Sequence, residues 1–147
     1  HIDPDKIGVS GTSAGGHLAA SVGTLSPQRP SFMILFYPVI SADTDKRHRG
    51  SFEQLLGKKH CDTPQSQELS LEKKVDVQTP PTLLFHCDDD KVVPAVNSVL
   101  FYKQLKTYGI KSSLHIYPSG GHGWGMSSCF RYYDDWQKSV LDWLSTL

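Results

Sequence analysis

The chain alternates between short apolar runs and longer amphipathic stretches. Phe32-Met33-Ile34-Leu35-Phe36-Tyr37 is uninterrupted and stops at Pro38. Such a run suits a strand covered on both faces, because a half-exposed strand would turn polar at every second position. Leu83-Leu84-Phe85-His86-Cys87, entered through Pro80-Pro81, has the same character. Lys6-Ile7-Gly8-Val9-Ser10 reads as a shorter strand, and Ser113-Leu114-His115-Ile116-Tyr117 alternates as a half-exposed edge strand would. Between these lie helical spacings. Leu18, Ala19 and Val22 share one face of a helix over residues 15–25. Val96, Val99, Leu100 and Leu105 do so over 95–108, where Gly109 ends the helix. Tyr133, Trp136, Val140, Leu141 and Leu144 give the last helix its apolar face.

Strand, helix, strand, insertion, strand, helix, strand, helix is the order of a parallel α/β sheet with flanking helices. The insertion, about residues 41–79, is polar and irregular apart from Phe52 to Leu56, and its length suggests a lid or binding loop. No internal repeat interrupts the order, and 147 residues suit a single domain.

Composition then removes several classes of function. Fifteen basic and fifteen acidic residues cancel. The most basic stretch, Asp45-Lys46-Arg47-His48-Arg49, reads as a solvated loop, so no nucleic-acid partner is expected. No apolar run approaches the ~20 residues of a membrane helix, so no membrane partner is expected either. No signal peptide is visible, residue 1 does not resemble a natural start, and the compartment stays open. Cys61, Cys87 and Cys129 fit no metal or Cys-x-x-Cys spacing, and their odd number argues against a disulfide framework. Cys87, inside an apolar run, reads as a small core residue.

The chemistry concentrates at three strand ends. Gly11-Thr12-Ser13-Ala14-Gly15 matches Gly-x-Ser-x-Gly, a weak pattern by itself that a chain-reversing glycine turn would also produce. Its setting between a strand and a helix is what a nucleophile elbow requires. There the serine holds a strained conformation, side chains two positions away on either side would clash, and glycine at 11 and 15 relieves the clash. The helix start also turns free N–H groups toward the serine oxygen. Ser10 has Gly8 before it but Thr12 after, and lacks this frame.

Cys87-Asp88-Asp89-Asp90-Lys91-Val92-Val93-Pro94 follows the second buried strand, at the edge where open α/β sheets gather catalytic groups. Consecutive carboxylates diverge, so one cation could seldom use all three, and no metal site is assigned. Asp90 is the candidate acid, with Val92-Val93-Pro94 expected to pack beneath it. Gly120-Gly121-His122-Gly123-Trp124-Gly125 follows the last strand. A histidine hemmed by glycines can approach another loop closely, which makes His122 the candidate base. His17 reads as structural, His86 ends a strand, His48 and His60 lie in the insertion, and His1 and His115 carry no signal. Ser, Asp and His thus follow successive parallel strands in the order of an α/β-hydrolase triad.

With these residues in view the chain resembles the α/β-hydrolase esterases grouped with acetyl xylan esterases, some of which carry the label xylanase. The likeness rests on Asp3-Pro4-Asp5-Lys6-Ile7-Gly8 leading into Gly-Thr-Ser-Ala-Gly-Gly-His-Leu-Ala, and on Gly50-Ser51-Phe52-Glu53-Gln54-Leu55-Leu56-Gly57. It continues through Gln78-Thr79-Pro80-Pro81-Thr82-Leu83-Leu84-Phe85-His86, Val92-Val93-Pro94 and Gly120-Gly121-His122-Gly123-Trp124-Gly125. The resemblance implies Ser13 as nucleophile, Asp90 as acid, His122 as base and the Ala14 N–H as one oxyanion donor. It also implies an eight-stranded sheet of which this chain supplies the C-terminal portion from the fifth strand on. A His-Gly-Gly-type loop with the second oxyanion donor would then precede residue 1, a loss worth on the order of 10²–10³ in rate. On this reading the chain is a fragment of a longer protein or a truncated product, and its first strand is an apolar edge open to self-association.

The implied reaction is ester hydrolysis through an acyl-enzyme, on a small-molecule or oligosaccharide ester, with no metal or organic cofactor. Activity would fall on acidification through the histidine range. Short acyl groups, as on acetylated sugars, follow only from the resemblance. Trp124 is the candidate substrate-binding residue, either stacking on a sugar ring or packing the loop down. A serine peptidase of the prolyl oligopeptidase type shares the triad order, and an inactive remnant is the non-enzymatic alternative. A glycosidase would need two carboxylates flanking the scissile bond, for which the elbow and glycine-flanked histidine are the wrong equipment.

Overall fold

Four parallel strands, each leading toward the same edge, set the architecture. In a computed structural model describing residues 1–147, a 3₁₀ turn (Pro4–Lys6) precedes β1 (Gly8–Thr12), which enters α1 (Ser13–Leu25) with no intervening loop. Then come β2 (Phe32–Phe36), α2 (Arg49–Leu56), α3 (Pro64–Gln67), a 3₁₀ turn (Leu71–Lys74) and β3 (Thr82–Cys87). Helix α4 (Val96–Thr107), β4 (Ser112–Tyr117) and α5 (Tyr133–Leu144) complete the chain. The sheet order is β1-β2-β3-β4, with every pair parallel. The α/β reading of the hydrophobic pattern therefore holds, with boundaries moved by a few residues. β1 runs on to Thr12, and α1 begins at Ser13 itself.

The apolar runs of β2 and β3 split by parity. Met33, Leu35 and Leu84 face one side, where Ala19, Ala20, Phe101 and Leu105 of α1 and α4 cover them. Ile34, Phe36, Leu83 and Phe85 face the other, against Trp136 and Trp143 of α5 and an aromatic group of Tyr117, Trp124 and Phe130. The register Ile34–Leu83, Leu35–Leu84, Phe36–Phe85 brings residues of the same face together. A sheet buried on both faces needs no polar alternation, which is why these strands read as continuous runs.

β1 forms one edge. Ile7 beside it is 52% exposed, but within the strand only Val9 is a large apolar residue, so this edge is less apolar than the sequence reading expects. The insertion is also more regular than expected. It contains α2, α3 and the Leu71–Lys74 turn, and it builds a small core of Phe52 and Cys61 with Val39, Ala42 and Val93. Its entry is pinned by Asn97, whose side-chain oxygen accepts from Ile40 N–H at 3.0 Å and Ser41 N–H at 2.9 Å. The Asn97 amide donates to the Lys46 carbonyl at 2.8 Å. Its exit is held where Arg29 grips both Asp76 oxygens, at 2.5 and 2.8 Å.

Candidate active site

Ser13 sits where β1 becomes α1, at φ +54°, a left-handed conformation uncommon for a side-chain-bearing residue. The turn is sharp enough that a Cβ on Gly11 would lie 2.1 Å from the Gly15 carbonyl oxygen. Gly15 is different: a Cβ there would meet nothing within 4 Å. The expectation that both motif glycines relieve a clash is thus half corrected, because Gly15 opens outward on the first turn of α1. The second steric demand falls on Gly16, whose added Cβ would lie 2.7 Å from Pro38 Cβ. Ser13 C=O also accepts from Val39 N–H at 3.1 Å, tying the elbow to the chain leaving β2.

Ser13 Oγ lies 2.8 Å from His122 Nε2, and His122 Nδ1 lies 2.7 Å from Asp90 Oδ2. A carboxylate can only accept, so His122 carries its proton on Nδ1, and Nε2 offers its lone pair to the serine hydroxyl. The Asp90 side chain is fully buried and that of His122 is 14% exposed. Asp90 Oδ1 is held by Val92 N–H and Val93 N–H, both at 2.9 Å. The loop thus fixes Asp90 through backbone donors. Val93 is buried as expected, but Val92 is 48% exposed and does not pack beneath the carboxylate.

Two of the three consecutive aspartates do separate work. Asp89 accepts from Gly121 N–H at 2.8 Å and Gly120 N–H at 3.2 Å, and these backbone donors hold its carboxyl below the usual range. It therefore clamps the loop bearing His122. Gly120 permits the approach: at φ +142°, an added Cβ would lie 2.4 Å from the Phe130 ring and 2.8 Å from Cys87 Sγ. Composition alone assigns no such duty to Asp89.

Tyr37 is a second residue that sequence reasoning missed. It follows β2 at φ +37°, its ring packs edge-on against His122 at 4.8 Å, and its hydroxyl accepts from Gly125 N–H at 2.8 Å. The only local signal was its place between an apolar run and Pro38. His17 is structural, as expected, with Nδ1 bonded to the Val39 carbonyl at 3.1 Å.

Trp124 needs correction as a substrate-binding candidate. It is 7% exposed, stacks on Phe130 at 4.1 Å, and meets Phe36 and Tyr37 edge-on. A ring covered in this way fixes the loop against the sheet and leaves no face for a sugar. An accessible groove of about 630 Å³ lies between α1 and α2. Ala14, Leu18, Val39, Phe52 and Leu55 line it. Ala14 is the second residue of α1, so its N–H belongs to the first turn, which has no intrahelical partner.

The model of the prolyl oligopeptidase family matches residues 1–147. An acetylxylan esterase of Xylanibacter ruminicola is 39% identical over 152 aligned residues, covering 100% of this chain and 32% of that protein. An endo-1,4-beta-xylanase B of Butyrivibrio fibrisolvens is 34% identical across 84% of the chain and 21% of its own length. The crystal structure of an acetyl ester-xyloside bifunctional hydrolase from Caldicellulosiruptor lactoaceticus superposes with a TM-score of 0.90 at 41% identity, over 99% of this chain and 58% of that one. An α/β-hydrolase enzyme from a deep-sea metagenome library superposes at 0.76 with 27% identity. The chain therefore spans about a third or less of the curated relatives and somewhat over half of the solved ones.

Proposed function

The chain belongs to the prolyl oligopeptidase family, with an α/β-hydrolase sheet, and on that premise we propose that it carries the catalytic groups of a serine carboxylic-ester hydrolase acting on acetylated sugars or xylo-oligosaccharides. One observation carries the reading: a serine at a left-handed elbow, 2.8 Å from a histidine whose other nitrogen lies 2.7 Å from a buried aspartate. The choice of an acetyl ester is supported by the relatives, an acetylxylan esterase and an acetyl ester-xyloside hydrolase.

On this reading Ser13 Oγ attacks the ester carbonyl while its proton passes to His122 Nε2. The imidazolium so formed is stabilised by Asp90, which also fixes the ring's orientation. The Ala14 N–H donates to the developing oxyanion, and His122 returns the proton to the departing alcohol. Water, deprotonated by the same nitrogen, then attacks the acyl-enzyme and releases acetate and Ser13. The groove beginning at Ala14 receives the substrate, with the insertion at residues 41–79 as its far wall.

The test is labelling with a fluorophosphonate, followed by peptide mapping. Ser13 is expected to take the label in the intact protein, and Ser13→Ala to lose both label and p-nitrophenyl acetate hydrolysis by several orders of magnitude. Near-normal hydrolysis by Ser13→Ala would overturn the nucleophile assignment. Faster turnover of a prolyl peptide than of acetylated xylo-oligosaccharide would move the reading to a peptidase.

A further inference from the structure

His86, near the end of β3, is completely buried, and the triad does not use it. Its two nitrogens have unlike partners. Nε2 lies 2.9 Å from the Val93 carbonyl oxygen, and Nδ1 lies 2.8 Å from Ser98 Oγ on α4. A carbonyl can only accept, so the ring proton sits on Nε2, and the Ser98 hydroxyl donates to Nδ1. Nε2 itself lies 3.3 Å from Asp90 Oδ2, the oxygen that accepts from His122, while its hydrogen goes to the Val93 carbonyl.

We propose that His86 is a positioning residue for Asp90, holding the positive end of a neutral ring's N–H dipole beside the carboxylate oxygen that faces His122; the proposal rests on the triad reading above. Oδ1 already has two backbone donors, so His86 supplies the remaining protein dipole near a carboxylate cut off from water. Burial lowers the His86 pKa, which keeps the ring neutral and fits a dipole rather than a competing cation. The other titratable groups facing this carboxylate are His122, the Cys87 thiol, which burial pushes up to about 11, and the Tyr37 phenol, which burial also raises. Both stay uncharged where the triad would work, and Asp89 is the neighbouring charged carboxylate. Ser98 extends the chain of contacts to α4, so the orientation of the acid is referred to a helix as well as to its own loop.

Removing the dipole concentrates charge on Asp90 Oδ2 and strengthens its hold on the His122 proton. His86→Met fills the space without an N–H, whereas His86→Gln replaces one near the Nε2 position. In proton NMR of the chain, His86→Met is expected to move the low-field His122 Nδ1–H signal further downfield, and His86→Gln to return it. In the intact protein the acid limb of ester hydrolysis should rise by roughly half to one pH unit in His86→Met and recover in His86→Gln. A merely structural role would lower thermal stability and move neither readout. An unmoved signal and limb in folded His86→Met would overturn the proposal. Should that variant not fold, nitrogen-15 spectra of the unaltered chain decide, since an Nδ1–H tautomer of His86 overturns the argument directly. Loss of fluorophosphonate labelling would instead strike the triad reading, leaving the tautomer and the low-field signal as independent tests of His86.

Discussion

Replacing Gly11 by alanine puts a Cβ 2.1 Å from the Gly15 carbonyl oxygen and 2.8 Å from Gly16 N. The obstacle is backbone on the first turn of α1, so no side chain can rotate aside and the elbow itself must open. Overpacking of this kind costs about 1–3 kcal/mol, and the backbone obstacle argues for the upper end. At about 2–4 °C per kcal/mol for a domain of this size, Gly11→Ala should lower Tm by about 6–12 °C. The perturbation also reaches Ser13, which sits between Gly11 and Gly15 at φ +54°. A misplacement of about 1 Å costs on the order of 100-fold in rate, so fluorophosphonate labelling should slow by about that factor. Gly15→Ala is the control, because its Cβ would meet nothing within 4 Å. It removes backbone freedom from the unfolded chain and should gain about 0.4–1 kcal/mol, or about 1–4 °C. Scanning calorimetry and timed labelling of the two variants side by side make the comparison. Equal losses in both, or an unchanged Gly11→Ala, would show that the elbow's steric demand has been misplaced.

Burial lowers the pKa of His17 and His86 from the ordinary 6.5, so below about that pH the unfolded chain binds protons that the folded chain refuses. Stability should therefore fall on acidification from that point, by up to about 1.4 kcal/mol per pH unit for each histidine. A second loss should begin below 3.8, because Arg29 holds the Asp76 carboxyl at about 2 and that pairing disappears as the pH drops toward it. Urea midpoints across this range measure both, and a flat profile from pH 7 to 5 would refute the first. Trp124→Ala should cost about 3–5 kcal/mol, lowering Tm on the order of 10 °C, because a stacked aromatic is removed from the core. A sugar platform on the surface would leave Tm almost unchanged.

Much of this protein is written locally in its sequence. The continuous runs of β2 and β3 announce strands buried on both faces, because no polar position interrupts them. The glycines around Ser13 and His122 mark places where the chain must turn tightly or approach another segment. Since every strand is parallel, residues that follow strand ends collect at one edge, and serine, aspartate and histidine could be placed together before any distance was known. What the tertiary structure alone decided depends on directions that no local pattern encodes. Adjacent Asp89 and Asp90 diverge, one to the Gly120–Gly121 amides and the other to His122, both about thirty residues further along the chain. Gly11 and Gly15 look equivalent in the motif, but the turn folds only one of them against backbone. Trp124 could have faced solvent or core, and its stacking on Phe130 settled that. Tyr37 and His86 carry no motif, and their places beside His122 and Asp90 arise only when separate strands bring their ends together. Sequence fixes which groups can reach the sheet's edge through local periodicity and chain order; the orientation of each depends on packing between segments far apart along the chain.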